Sequence, residues 1–148
     1  MKSNKVAVIT GGGRGLGEAT VIDLLLQGFK VVCAEHNELL IDQVAKKINK
    51  EYFSSFLPCK TDVSNRNDVK NMYSMALDRF GSIDILINFA GINRDKPFLE
   101  LDDEDWDSVM DVHLKGAFIC CQEFVKCKSQ GTAHIINVSA ACGIQGRK

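Results

Sequence analysis

The chain has 148 residues, 45% of them hydrophobic and 25% charged, with a formal net charge of −1. That is the length and composition of one soluble globular domain able to bury a substantial core. Its near-neutral charge sets up no field to attract nucleic acid or an anionic membrane, and no apolar run nears the ~20 residues a membrane-crossing helix requires.

The first apolar run, Lys5–Thr10 (KVAVIT), predicts a strand. It is too short for a secretory signal and is followed directly by glycines. Thr10–Gly17 (TGGGRGLG) is a glycine-rich turn, and helical apolar periodicity runs from Gly15 to Gly28. Lys30–Ala34 (KVVCA) predicts a second strand, followed by Glu35-His36-Asn37. Residues 38–50 read as a helix with Leu39, Leu40, Val44 and Ile48 on its inner side, and residues 52–59 contain a third strand around Phe56-Leu57. Thr61–Ser64 leads into another helix, with Ser64 placed to cap it. The apolar positions Val69, Met72, Tyr73, Ala76, Leu77 and Phe80 keep its period, and Gly81 ends it.

Ile83–Asn88 predicts strand four, closed by Phe89-Ala90-Gly91. After the polar loop Ile92–Leu101, Asp102 caps a long helix whose first turn carries Asp103, Glu104 and Asp105, the sign that the helix dipole favours. Trp106, Val109, Met110, His113, Ala117, Cys120, Cys121 and Phe124 share its apolar side. Ala133–Ser139 (AHIINVS) predicts strand five, and residues 140–148 carry no period. The six cysteines, Cys33, Cys59, Cys120, Cys121, Cys127 and Cys142, include no C-x-x-C pair and no zinc-spaced His/Cys set. They read as reduced structural thiols of a cytoplasmic protein. The alternation βαβαβαβαβ predicts a doubly wound parallel sheet in a single domain over residues 1–148.

In such a sheet, ligands sit beyond the carboxyl ends of the strands, and the distinctive residues gather there. Gly11, Gly15 and Gly17 follow G-x-x-x-G-x-G, a turn that offers bare backbone and a helix N-terminus to an anion such as a cofactor phosphate. Arg14 and Leu16 lie within it. Glu35 ends strand two, 18 residues after Gly17, close to the spacing at which a carboxylate accepts from the adenosine ribose hydroxyls. A carboxylate there favours NAD over NADP, whereas Arg14 and His36 would suit a 2′-phosphate. Asp62 after strand three is placed to accept from the adenine amino group, with Val63 against the ring. Asn88, Ala90 and Gly91 end strand four beside strand one, where small residues let a dinucleotide approach the backbone. Each has a plainer role as well: Glu35 and Asp62 as loop carboxylates, Ala90-Gly91 as a turn.

Together these segments resemble the N-terminal part of the short-chain dehydrogenase/reductase family over Lys5–Gly143. Thr10–Gly17 matches its T-G-x-x-x-G-x-G turn, Asp62-Val63 its adenine-contacting pair, and Asn88–Gly91 its N-N-A-G with Phe89 in place of the second Asn. Residues 91–95 and 105–116 are similar to the 3-oxoacyl-acyl-carrier-protein reductase branch. The resemblance implies a Rossmann-type fold, an NAD(P) cofactor, a carbonyl substrate and hydride transfer, with a homo-oligomer as the full-length form.

The family's Tyr/Lys pair, Y-x-x-x-K, does not occur. Tyr52 is followed four residues on by Phe56, and Tyr73 by Leu77. In relatives that motif lies about a dozen residues past the strand-five serine, which here falls beyond Lys148. His113 replaces the relay asparagine, or else is a buried histidine on the apolar side of its helix. Where relatives read N-x-S-S, this chain has Asn137-Val-Ser139-Ala140. The chain is therefore expected to be a cofactor-binding part, incomplete after strand five and inactive alone, with no catalytic residue assigned. The other readings are a non-catalytic dinucleotide-binding or interaction module that pairs with a full-length relative, or a remnant without function. Strand five is expected as an open apolar edge, leaving the isolated chain marginally stable or dependent on a covering partner.

Overall fold

A computed structural model describes residues 4–141; Cys142 and the rest of the chain end lie outside them. Five parallel strands form one sheet in the order β3-β2-β1-β4-β5. They are β1 Val6–Thr10, β2 Lys30–Glu35, β3 Phe56–Lys60, β4 Ile85–Asn88 and β5 His134–Asn137. The helices between them are α1 Gly15–Leu26, α2 Glu38–Lys47, α3 Arg66–Phe80, α4 Asp103–Met110 and α5 Gly116–Cys127. This is the expected Rossmann-like α/β fold.

Central β1 is buried along its whole length, as a strand covered by helices on both faces must be. On one face Val8, Val32, Met72, Tyr73, Leu86 and Phe124 form a core under α3 and α5, and on the other Ile9, Val21, Leu25, Val31 and Val44 pack under α1 and α2. Each such side chain contributes about 1.5–3 kcal/mol by leaving water. Pro58 is tolerated because β3 is an edge strand, where one missing N–H breaks no central ladder. β5 is the opposite edge, and all four of its residues are exposed.

Some local expectations change. Ser64 does not cap α3: Asn65 does, accepting from the backbone N–H of Asn67 at 2.9 Å and of Asp68 at 3.4 Å. Leu39 is 70% exposed, and Ile41 takes the inward place beside Val44. Trp106 is 66% exposed rather than on the buried side of its helix.

The long fourth helix also contains a feature that its periodicity did not show. Between α4 and α5, Asp111–Lys115 winds as a wider π-helical turn. Such a turn accommodates one extra residue. Trp106 and Val125 are 19 residues apart; without the extra one they are separated by about five regular turns of 3.6 residues. The exposed apolar residues Trp106, Leu114, Phe118 and Val125 therefore fall along one outer stripe.

Candidate functional site

Strand order reverses between β1 and β4, so their carboxyl ends flank the crevice where doubly wound sheets bind ligands. Thr10, Asn88 and Asn137 stand at one level across β1, β4 and β5. The Thr10 hydroxyl donates to Asn88 Oδ1 at 3.3 Å and accepts the Ala90 N–H at 3.3 Å. Asn88 Nδ2 donates to Asn137 Oδ1 at 2.8 Å. This ladder satisfies the side chains where the sheet ends and fixes the backbone of the 88–91 segment.

The glycine turn forms the other wall. A Cβ on Gly17 would lie 2.1 Å from the Gly11 carbonyl oxygen, so only glycine lets α1 start this close to β1. Gly15 is different: its φ is +57°, and a Cβ there would meet nothing within 4 Å. The space over Gly15 is thus open, and the first intrahelical bond runs only from Glu18 N–H to the Arg14 carbonyl. No side chain caps α1, whereas Asn37, Asn65 and Asp102 cap α2, α3 and α4. The α1 N-terminus therefore presents backbone donors and the positive end of its dipole with no side chain accepting from its first turn.

The expected residues converge unevenly. Val63, Asn88 and Ala90 line a small cavity of about 90 Å³ together with Thr10, Val112, His113, Gly116 and Asn137. Gly11 lies against the Ala90 backbone at the edge of this crevice. Val63 is buried against Gly116, where a Cβ would come within 2.7 Å of Val63 Cγ2. Asp62 Oδ1 is engaged by its own loop, accepting from the Ser64 N–H at 2.9 Å and hydroxyl at 2.7 Å. Arg14, Gly15 and Leu16 lie exposed in the turn. Glu35 is half-buried and folds back onto the turn.

His113 is exposed, which corrects its reading as a buried histidine. It sits in the π-helical turn with its imidazole against Gly91, where a Cβ would lie 2.5 Å from Cε1. Its Nε2 is 3.0 Å from the Ile92 nitrogen and 2.8 Å from the Ile92 oxygen, so the tautomer decides whether the ring accepts or donates. The ring also borders a second, wider groove of about 520 Å³ lined by Phe98, Leu101, Trp106 and Val109, with Arg94 and Asp105 among its polar members. Lys96 pairs with Asp105, whose carboxylate also completes the α4 capping box. The hydrogen bond from Lys96 holds the Asp105 carboxyl below the usual carboxylate range.

Neither tyrosine reaches the crevice as a free phenol. Tyr73 is buried, its hydroxyl donates to the Cys120 carbonyl at 2.9 Å, and burial pushes its pKa up. Tyr52 packs on the opposite core. Thr10 and Asn137 join the expected residues in lining the small cavity. Their signal was the shared strand-end level with Asn88, legible only once the strand order is known.

The fold and rim define a Rossmann-like α/β domain of the kind found in oxidoreductases. A family model described as short chain dehydrogenase matches residues 5–148. The chain belongs to the short-chain dehydrogenase family, and it corresponds to an N-terminal part of it. It is 33% identical over 147 residues to an uncharacterized oxidoreductase of Staphylococcus aureus strain USA300, covering 99% of this chain and 62% of that one. To the 3-oxoacyl-acyl-carrier-protein reductase FabG of S. aureus strain Mu50 it is 33% identical over 148 residues, covering 99% and 60%. The chain thus spans about three fifths of the length of these relatives. Among solved structures, a short-chain dehydrogenase/reductase (glucose/ribitol dehydrogenase) from Brucella melitensis superposes with a TM-score of 0.89 at 26% identity, covering 99% of this chain and 61% of that one. A short chain dehydrogenase from Bacillus anthracis gives 0.79 at 32% identity, covering 83% and 49%.

Proposed function

We propose that this chain is the cofactor-holding part, over residues 1–148, of a cytoplasmic NAD(P)-dependent oxidoreductase that reduces a carbonyl, such as a 3-oxoacyl thioester, by hydride transfer. The observation that carries the reading is the uncapped N-terminus of α1, opening over Gly15 at the crevice between β1 and β4. The fit to a dinucleotide is physical. Phosphate oxygens need close, unhindered N–H donors and positive potential, and the turn supplies both. Gly11, Arg14, Gly15, Leu16 and Gly17 would hold the pyrophosphate, Glu35 the adenosine ribose, and Asp62 and Val63 the adenine. Asn88, Ala90 and Gly91 would flank the nicotinamide half. When bound, the cofactor supplies the hydride. Glu35 favours NAD, while exposed Arg14 and His36 leave NADP possible.

The groove beside His113, walled by Phe98, Leu101, Trp106 and Val109, suits the apolar body of a carbonyl substrate. No group among the described residues is placed as the proton-transferring phenol, so this chain is expected to bind nucleotide without turnover. The outer stripe of Trp106, Leu114, Phe118 and Val125 supports self-association of a full-length form. A second reading, a non-catalytic module that pairs with a full-length relative, draws on the exposed β5 edge with Ile135, Ile136 and Val138.

Calorimetric titration of the 148-residue chain with NADH and with NADPH tests the reading. One-to-one binding that Gly15→Val abolishes, in a variant that still folds, supports it. No heat with either nucleotide, from a chain shown to be folded by circular dichroism, refutes it.

A further inference from the structure

We propose that Glu35 is a positioning residue that holds the glycine turn in its anion-ready shape from within the protein, whatever it also does toward a ribose. The inference rests on the nucleotide-binding reading above and deepens it.

Glu35 ends β2, and its two carboxylate oxygens take two separate backbone donors. Oε2 accepts the Gly13 N–H at 3.2 Å, and Oε1 accepts the Asn37 N–H at 3.1 Å. Gly13 belongs to the β1–α1 turn and Asn37 caps α2, so one side chain ties the two corners of the rim together. The contact is also steric. A Cβ on Gly13 would fall 2.6 Å from Glu35 Cγ and 2.7 Å from Leu40 Cβ, so the glutamate stem packs on the bare Gly13 backbone. Next to this, Gly12 N–H donates to the Ala34 carbonyl at 3.2 Å. The first half of the turn is therefore stitched to the end of β2, and its second half is wedged in place by Gly17 against Gly11.

Gly13 is buried, and a buried N–H that loses its acceptor is costly. Without the carboxylate the turn would relax, and the donors over Gly15 would lose their alignment before any ligand arrives. Alignment made in advance is what converts a set of weak contacts into affinity.

Two measurements decide this. The first uses the ligand-free chain: amide hydrogen exchange at Gly13 and Asn37 in wild type, Glu35→Ala and Glu35→Asp, with Ile87 in β4 as the reference. Glu35→Asp keeps the charge but is one methylene too short to reach Gly13, so it serves if the alanine variant fails to fold. Exchange at least tenfold faster at Gly13, with Ile87 unchanged, is expected; unchanged exchange at Gly13 overturns the proposal. This arm stands even if no nucleotide binds, which would sink the functional reading alone. The second compares NADH with an analogue lacking the 2′- and 3′-hydroxyls of the adenosine ribose. A strut predicts roughly tenfold weaker binding of both ligands by the variants. A loss that vanishes with the dideoxy analogue would mean that Glu35 acts only through the ribose, and would overturn it.

Discussion

Gly17→Ala tests the tightest contact at the candidate site. The added Cβ would sit 2.1 Å from the Gly11 carbonyl oxygen and 2.9 Å from the Gly11 carbonyl carbon. Both are backbone atoms, so no side chain can swing away. Restoring an ordinary contact requires the start of α1 to move about 1 Å from the end of β1, and overpacking typically costs about 1–3 kcal/mol, with backbone against backbone at the top of that range. For a chain of this size, each kcal/mol lowers the midpoint by about 2–4 °C, so a drop of roughly 6–12 °C is expected. Gly15→Ala provides the comparison. There the surroundings are open, and the penalty is that of a left-handed backbone alone, about 1–2 kcal/mol. Thermal melts followed by circular dichroism, with urea titrations to check that the slope of unfolding free energy is unchanged, measure both. If Gly17→Ala proves no more destabilising than Gly15→Ala, the close approach of α1 to the turn is not what the geometry indicates.

Acid sensitivity follows from the Lys96–Asp105 pair. Because its hydrogen bond to Lys96 lowers the folded-state pKa of Asp105, the stabilisation is present above the ordinary carboxylate value and lost as pH falls through the folded one. Lys96→Ala should therefore flatten the acid limb of stability in urea titrations below about pH 5, and an identical limb would remove the pair from the account. The thiols should separate by burial. Cys33 and Cys120 are pushed up to about 12, chiefly by desolvation, and should resist iodoacetamide at about pH 8 while half-buried Cys121 is alkylated. Peptide mass spectrometry showing Cys33 labelled first would contradict the buried placement.

The glycine turn, the capping aspartate of α4 and the alternation of strands with helices were all legible in the chain. Each rests on neighbours within about one or two turns, where local stereochemistry decides. Glu35 and Asn88 could be placed at the rim for the same reason: each ends an apolar run. The misreadings lie where nearby residues compete or where the helix changes its winding. Asn65 displaced Ser64 as the α3 cap because Asp62 had already engaged Ser64. Leu39 and Ile41 differ by about 200° around α2, and only the packing partner chose between them. Trp106 follows a helical period as well as any core residue, yet faces outward because the π-helical turn offsets α4 from α5.

By itself, the sequence determined that a parallel sheet would carry a glycine turn and an acidic strand end at one rim, since apolar period and glycine spacing are local properties. Only the tertiary structure decided what those groups do to one another. It set Thr10, Asn88 and Asn137 at one level, bent Glu35 onto Gly13, and brought His113 against Gly91 and Ile92. Those contacts join residues from 21 to 78 positions apart, and they exist only after strand order and register have been fixed by burying both faces of the sheet.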